Sequence, residues 1–459
     1  MNIQDLYSLY LSCGCNVCTD SRKLMPGDLF FALRGENFNG NDYALSALEK
    51  GAAAAVVDDP SLEGHSGTIL VEDAFAALQS LAVYHRTHVA GGRLKVIGLT
   101  GTNGKTTTKN LISLVLSRKY RVVATEGNLN NDIGVPLSLL KIRPDTQIAV
   151  IEMGANHPDD ISRLVQVCRP DYGLITNIGV AHIQGFGSFE GVIAAKNELY
   201  RYLGSKEGSL IFVNEDDALL RELCSKQSCH CFGYGLRYQG AEILRSEEQG
   251  AYLRLRLRGR VINTKLFGEY NAANVLSAIC VGEYFGVEFE QACEAVEEFT
   301  PDNKRSQLLK TDRNVLIVDA YNANPSSMAA ALQSFSAMAA KDSAGSAEPG
   351  EPAESGERKL ALLGQMRELG SCSLQEHERV LRTLRSFGID AFLVGEDFRK
   401  ALRSLQSAAS PAEGRDVSFR CFDSSSELAD YLHSNPLEHY TILIKGSRSV
   451  EMEKVLPEL

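Results

Sequence analysis

The chain has 459 residues, too many for one hydrophobic core, so about two to four domains are expected. Its 44% apolar and 23% charged residues are ordinary for a soluble globular protein. A formal net charge of −11 excludes nucleic acid as the main partner, because phosphate backbones are bound by excess Lys and Arg; a nucleotide stays open, since one lysine and a helix end can hold a triphosphate locally.

In chain order, Met1-Asn2-Ile3-Gln4-Asp5-Leu6-Tyr7 lacks a basic region followed by an apolar run, and no uncharged apolar stretch reaches the roughly 20 residues of a membrane helix. A cytoplasmic protein without membrane insertion is expected. Eleven cysteines in a chain without a signal point to reduced thiols rather than a disulfide framework. Cys13, Cys15 and Cys18 lie close enough to suggest a metal, as do Cys224, Cys229, His230 and Cys231, but neither group has paired Cys-x-x-Cys spacing.

Residues 1–91 read as a small α/β unit, with strands at Leu29–Leu33 and Ala52–Val57, a helix over Tyr43–Lys50 stopped by Gly51, and a second helix over Ala74–His88. Gly91-Gly92 is a plausible hinge. From about 93 to 301, buried strands at Lys95–Thr100, Ile148–Glu152, Tyr172–Asn177 and Leu210–Asn214 alternate with helical stretches, which implies a mostly parallel sheet with helices on both faces. Tyr252–Arg258 alternates strictly and reads as an antiparallel strand whose arginines face water. A third unit begins near Pro301, with strands at Val315–Asp319, Lys359–Leu363, Ala391–Val394 and Thr441–Ile444. Residues 339–358 carry almost no large apolar side chain and read as a disordered surface loop.

The strand Lys95–Thr100 enters Gly101-Thr102-Asn103-Gly104-Lys105-Thr106-Thr107, in which Gly-Lys-Thr opens a helix. Backbone N–H groups, a helix N-terminus, a lysine and a hydroxyl are what a nucleotide phosphate and its Mg²⁺ require. Leu99 stands where the common phosphate loop has glycine, so this loop is shorter than usual.

In open α/β sheets, ligands bind beyond the carboxyl ends of the strands. Glu152, Asp319 and Lys445 sit at such ends, and His182 follows another. Glu152 and His182 could hold Mg²⁺ beside a triphosphate. Asn128, Asn130 and Asn131 lie in a stretch with four Asn or Asp in five residues, more than a turn needs. Tyr321, Asn322 and Asn324 directly follow a strand. Asn271 and Asn274 share a helical face, where they either read a base edge or serve as an N-cap and a surface residue.

The order of these motifs resembles the Mur ligases, the ATP-dependent amide ligases of peptidoglycan synthesis, over nearly the whole chain. Gly101–Thr107 resembles their shortened phosphate loop. Gly127–Asn131, Glu152–His157, Asn177–His182, Gly185–Ser188 and Lys445–Glu453 fit the same family. Asp319-Ala320-Tyr321-Asn322-Ala323-Asn324-Pro325-Ser326-Ser327-Met328 discriminates best, since sister ligases differ after that Asp.

The resemblance implies three domains: a small α/β domain (1–91) for the UDP end of the substrate, a central P-loop-type domain (92–301) for ATP, and a Rossmann-like α/β domain (302–459) for ligation. It implies a monomer, with UDP-N-acetylmuramoyl-tripeptide and D-alanyl-D-alanine as substrates and ATP and Mg²⁺ as cofactors. Gly101, Thr102, Asn103, Gly104, Lys105 and Thr107 would hold the phosphates, with Thr106 on Mg²⁺ and Glu152 and His182 on a second Mg²⁺. Lys196 lies where relatives carry a carbamylated lysine; unmodified, it reads as a surface helix lysine. Asn271 and Asn274 would lie near adenine, Arg305 and Asp319 would reach ATP, and Ser21 and Arg22 would hold the UDP end. Closure of the third domain about Pro301–Arg305 is expected, to keep water from an acyl phosphate. Gln365, in Leu363-Gly364-Gln365-Met366, replaces an Asp usual in the family and implies one charge fewer near the third-domain site. A sister ligase adding a different amino acid and a small-molecule kinase are the alternatives.

Overall fold

The computed structural model describes residues 1–244, 252–301, 305–338, 358–407 and 417–459. The first unit is a four-stranded parallel sheet, in the order Val17–Cys18, Leu29–Phe31, Ala54–Val57 and Thr68–Leu70. Its strands are shorter than expected, and the helix at Ala44–Glu49 is close to the expected one. The helix Ala74–His88 falls where its periodicity places it, capped by Asp73, which accepts from the backbone of Phe75 and Ala76. An unanticipated first helix, Ile3–Ser12, buries Leu6 and Tyr10. The Tyr10 hydroxyl donates to the Leu140 carbonyl at 2.6 Å, which joins this unit to the next.

The central sheet has six parallel strands, in the order His230–Tyr234, Leu210–Asn214, Tyr172–Ile175, Lys95–Thr100, Ile148–Glu152 and Val122–Ala124. Side chains alternate between two cores. Ala149 and Ile151 pack with the helices Gly134–Leu140, Asp160–Cys168 and Phe189–Gly204, while Ile97, Leu99 and Val150 pack with Lys105–Leu116, Ala272–Tyr284 and Phe289–Glu298. Leu99, placed where glycine was looked for, is a fully buried strand residue, so the loop begins only at Gly101.

A three-stranded antiparallel sheet follows, in the order Glu242–Ile243, Tyr252–Leu257 and Arg260–Phe267. Leu253, Leu255 and Leu257 point inward; Arg254 donates to Asn263, and Arg256 and Arg258 pair with Glu242 and Glu283. The arginine row is a solvated strand face.

The last sheet has the order Gln307–Lys310, Val315–Asp319, Tyr440–Lys445, Arg358–Gly364, Asp390–Val394 and Phe419–Phe422, parallel except for its first pair. The loop expected at 339–358 lies, up to residue 357, outside the described residues, and Arg358 already belongs to a strand.

The expectation of reduced thiols fails at one pair. The return from the helix Ala218–Ser225 into the strand His230–Tyr234 brings Cys224 and Cys231 together as a disulfide. Among the described residues, no group of three or more His, Cys, Asp or Glu is placed to hold a metal ion.

Gly134 opens its helix against the asparagine loop, where a Cβ would lie 2.3 Å from the backbone carbonyl carbon of Leu129. Gly134→Ala is expected to cost about 1–3 kcal/mol, seen as a lowered thermal unfolding midpoint.

Candidate active site

The carboxyl ends of the central and last sheets line one cavity of about 1050 Å³. On the central side, Gly101 has φ +143°, and a Cβ there would lie 2.0 Å from Thr176 Oγ1. Gly104 has φ +76°, with Asn274 Oδ1 at 2.8 Å from the place of a Cβ. Only glycine fits either position. The loop is tied to the neighbouring strand end: Thr102 N donates to Asn177 O at 2.9 Å, Asn103 N to Asn177 Oδ1 at 3.0 Å, and Thr176 Oγ1 to Asn103 O at 2.6 Å. Lys105 Nζ reaches back to the carbonyls of Gly101 (2.8 Å) and Thr102 (3.1 Å), and burial lowers its pKa.

Thr102, Asn103, Gly104, Lys105 and Thr107 face the cavity, whereas Gly101 and Thr106 lie behind that lining. Thr106 Oγ1 donates to Glu152 Oε2 at 3.0 Å, and Asn130 Nδ2 donates to Glu152 Oε1 at 2.8 Å. The Glu152 carboxylate therefore joins the loop to the asparagine stretch. Asn128 and Asn131 also line the cavity, and Asn131 Oδ1 accepts from Gly134 N at 2.8 Å.

Asn271 and Asn274 are both buried, so the reading of a surface residue fails. Asn274 Nδ2 donates to Asn271 Oδ1 at 2.8 Å, and Asn274 Oδ1 accepts from Thr108 at 3.0 Å. His182, in left-handed backbone at φ +52°, lines the same cavity as Glu152, but its Nδ1 is bonded to Glu368.

Lys196 is corrected most. It is 2% exposed, because the helix carrying it packs against Asp160–Cys168 and the central sheet. Its Nζ donates to Ala155 O at 3.2 Å and lies 5.5 Å from the centre of the Phe186 ring. Burial, then the charge of Lys105, lowers its pKa to about 7.

On the opposite wall, Asp319 and Lys445 end neighbouring strands in register. Lys445 Nζ donates to Asp319 Oδ2 at 2.6 Å and to Asn322 O at 3.0 Å, and Ser306 N donates to Asp319 Oδ1 at 3.3 Å. The Arg305 guanidinium lies 3.6 Å from the centre of the Tyr321 ring, and its buried Nε has no hydrogen-bond partner among the described residues. Asn324 caps the helix Pro325–Ala337 through Oδ1, and its Nδ2 donates to Asn103 Oδ1 at 2.8 Å. Val180 N donates to Ser326 Oγ at 2.9 Å. Of the expected hinge, residues 302–304 lie outside the described residues.

Ser21 and Arg22 are not brought to this cavity; Arg22 is exposed and pairs with Asp20. Gln365 is not part of the lining either. It is 5% exposed, and its Oε1 accepts from Asp397 N at 3.1 Å beneath the helix Glu396–Ser407. Its exchange for an acid therefore changes a helix cap rather than the charge of the cavity. Sequence reasoning passed over Arg367, Glu368 and Arg448, which also line the cavity. Their available signal was position, since all follow strand ends by a few residues.

Comparison with known proteins agrees with this geometry. The chain matches three family descriptions: Mur ligase family, catalytic domain, over residues 16–87; Mur ligase middle domain over 99–282; and Mur ligase, glutamate ligase domain, over 304–448. The chain belongs to the Mur ligase family, whose members are ATP-dependent ligases that form amide bonds. Among its relatives, the UDP-N-acetylmuramoyl-tripeptide–D-alanyl-D-alanine ligase of Bacillus subtilis is 34% identical over 449 residues, covering 96% of this chain and 92% of the relative. The Escherichia coli enzyme of that name is 32% identical, covering 96% and 93%. A crystal structure of MurF from Acinetobacter baumannii has a TM-score of 0.80 at 30% identity, covering 97% of this chain and 93% of that one. MurF of Thermotoga maritima, solved in complex with ADP, shares the fold at a TM-score of 0.78 and 23% identity, covering 96% of each. The expected three-part α/β fold and the ligase class are both borne out.

Lys196 gives a pH-dependent expectation. Its folded pKa of about 7 lies below the ordinary lysine value, so the unfolded chain holds a proton the folded chain has lost once pH exceeds about 7. The folded state should gain stability relative to Lys196→Met as pH rises from 7 to 9 in carbon-dioxide-free buffer, by at most about 1.4 kcal/mol per pH unit. Denaturant midpoints at both pH values measure it; parallel shifts in the two proteins would contradict it.

Proposed function

We propose that this chain joins D-alanyl-D-alanine to UDP-N-acetylmuramoyl-tripeptide with consumption of ATP, giving the UDP-linked pentapeptide of peptidoglycan synthesis. The observation that carries this reading is one cavity with a phosphate loop on one wall and the Asp319–Met328 stretch on the other. Its full-length likeness to ligases of that name supports it. On this reading residues 1–91 take the UDP end through Ser21 and Arg22, residues 92–301 bind ATP, and residues 302–459 bind the acceptor. The protein acts in the cytoplasm as a monomer. No helix among the described residues is long and apolar enough to cross a membrane.

Amide formation from a free carboxylate is uphill in water, and ATP makes it possible through an acyl phosphate. The tripeptide's terminal carboxylate attacks the γ-phosphorus, the bond to the β,γ-bridging oxygen breaks, and ADP leaves. Lys105 and the loop N–H groups offset charge on the transferring group. Arg305 brings to the same anion a guanidinium whose Nε has no hydrogen-bond partner among the described residues. Asn271 and Asn274 stand at the adenine end. The neutral amine of D-alanyl-D-alanine then attacks the acyl carbon, and phosphate departs from the tetrahedral intermediate. Asp319 reaches toward ATP beside Arg305 and is paired with Lys445, while Tyr321, Asn322 and Asn324 line the acceptor side.

Mg²⁺ fits the residues present. Thr106 Oγ1 and Glu152 Oε2 are hard oxygen donors 3.0 Å apart beside the phosphate loop, and His182 offers an imidazole on the same cavity. When bound there, Mg²⁺ would neutralise phosphate charge. Lys196 is suited to carbamylation, since a buried amine with pKa about 7 keeps a large neutral fraction that can attack carbon dioxide. The product would be a carboxylate near the metal residues.

Phosphate release from ATP is expected to require UDP-N-acetylmuramoyl-tripeptide and to reach full turnover only with D-alanyl-D-alanine. Full turnover with a single amino acid instead would identify a sister ligase. Lys105→Ala should lose about 3 kcal/mol or more of transition-state stabilisation, a fall in kcat of at least about 100-fold. Near-normal turnover would remove the phosphate-loop assignment.

A further inference from the structure

Six Lys and Arg side chains line the cavity beside five Asp and Glu, and they differ in what already holds them. Lys105 lies against loop carbonyls, and Arg305 is close enough to help lower its pKa. Lys445 is paired with Asp319, and Arg163 with Asp160. Two more guanidinium groups, Arg367 and Arg448, line the same cavity, are exposed to it, and pair with no carboxylate among the described residues.

Their position follows from the sheet. The strands Arg358–Gly364 and Tyr440–Lys445 are parallel neighbours, with Leu363 opposite Lys445. Each arginine comes three residues after the end of its strand. The two loops are stitched together, since Arg367 N donates to Ser447 Oγ at 3.0 Å and Ser447 N to Gln365 O at 3.4 Å. Ser447 Oγ in turn donates to Ala323 O at 3.3 Å, in the loop that carries Tyr321. The Arg448 guanidinium lies 5.4 Å from the Tyr321 ring centre, with Nη1 3.4 Å from the hydroxyl. Tyr321 is thus the common post for Arg448 and for Arg305, whose charge reaches Lys105.

An acceptor dipeptide brings two groups into this cavity. Its amine must be neutral to attack. Its carboxylate takes no part in the reaction and stays ionised, so it needs fixed cationic donors in a partly enclosed site. Guanidinium matches carboxylate geometry with paired N–H donors.

We infer that Arg367 and Arg448 bind the free carboxylate of the acceptor dipeptide and so aim its amine toward the phosphate loop. This rests on the function proposed above and names specificity residues for it.

The test is steady-state kinetics of the wild type, Arg367→Gln, Arg448→Gln and the double variant, with D-alanyl-D-alanine and with D-alanyl-D-alaninamide, which lacks the charge. The wild type should prefer the free dipeptide on the order of 10- to 100-fold in kcat/KM, as charged hydrogen bonds imply. Each variant should raise KM for the dipeptide on the order of 10-fold or more and leave KM for ATP and for the UDP-tripeptide unchanged. The double variant should lose the preference over the amide. Arg→Lys variants at both positions should recover part of it, and calorimetric ADP binding checks that every variant is folded. An unchanged preference in the double variant overturns the inference, as does a rise in KM confined to the UDP-tripeptide. A wild type that uses neither acceptor overturns the proposed function itself, a separate and distinguishable result.

Discussion

Two side-chain amides hold the site together. Asn103 at the tip of the phosphate loop and Asn324 at the head of the helix Pro325–Ala337 face each other at 2.8 Å, where two separate, mainly parallel sheets open onto one cavity. Parallel strands expose their loops at their carboxyl ends, and ligands bind there. One sheet alone offers a phosphate site. Two sheets set end against end offer a phosphate site and a second compartment that shares its reacting atom. That hydrogen bond contributes about 1 kcal/mol net, and Phe267 and Tyr270 of the central unit pack with the core of the last unit. Val180 with Ser326 and His182 with Glu368 add to it.

Charge is divided along the same line. On the central wall, the Glu152 carboxylate is held between Thr106 and Asn130 beside Lys105, which donates to the carbonyls of Gly101 and Thr102. On the other wall, Asp319 pairs with Lys445, while Arg305, Arg367 and Arg448 line the cavity without a carboxylate partner among the described residues. Lys196 sits behind the central wall with its pKa lowered to about 7, because burial and the nearby Lys105 both oppose its proton.

The sequence carried the parts of this arrangement that are local. The strands Lys95–Thr100, Ile148–Glu152 and Val315–Asp319, and the residues that follow them, were legible because apolar runs and the polar residues at their ends are adjacent in the chain. What was not legible depends on distant packing. Nothing near Lys196 says that the helix Asp160–Cys168 will cover it. The Cys224–Cys231 pair required knowing how a helix returns into an edge strand. Glu368 meets His182 across 186 positions of sequence. Gln365 looked like a change in active-site charge because its neighbours are catalytic in pattern, but its side chain turns beneath a helix. Ser21 and Arg22 lie on a unit that the cavity does not reach.

The most direct test of the central claim, carboxylate activation by phosphoryl transfer in this cavity, is oxygen tracing. UDP-N-acetylmuramoyl-tripeptide labelled with ¹⁸O in its terminal carboxylate is turned over with ATP and D-alanyl-D-alanine, and the released phosphate is examined by mass spectrometry. One ¹⁸O atom per phosphate is the predicted result, because the oxygen that attacks the γ-phosphorus leaves with it. Unlabelled phosphate, or label recovered in AMP, would contradict the account.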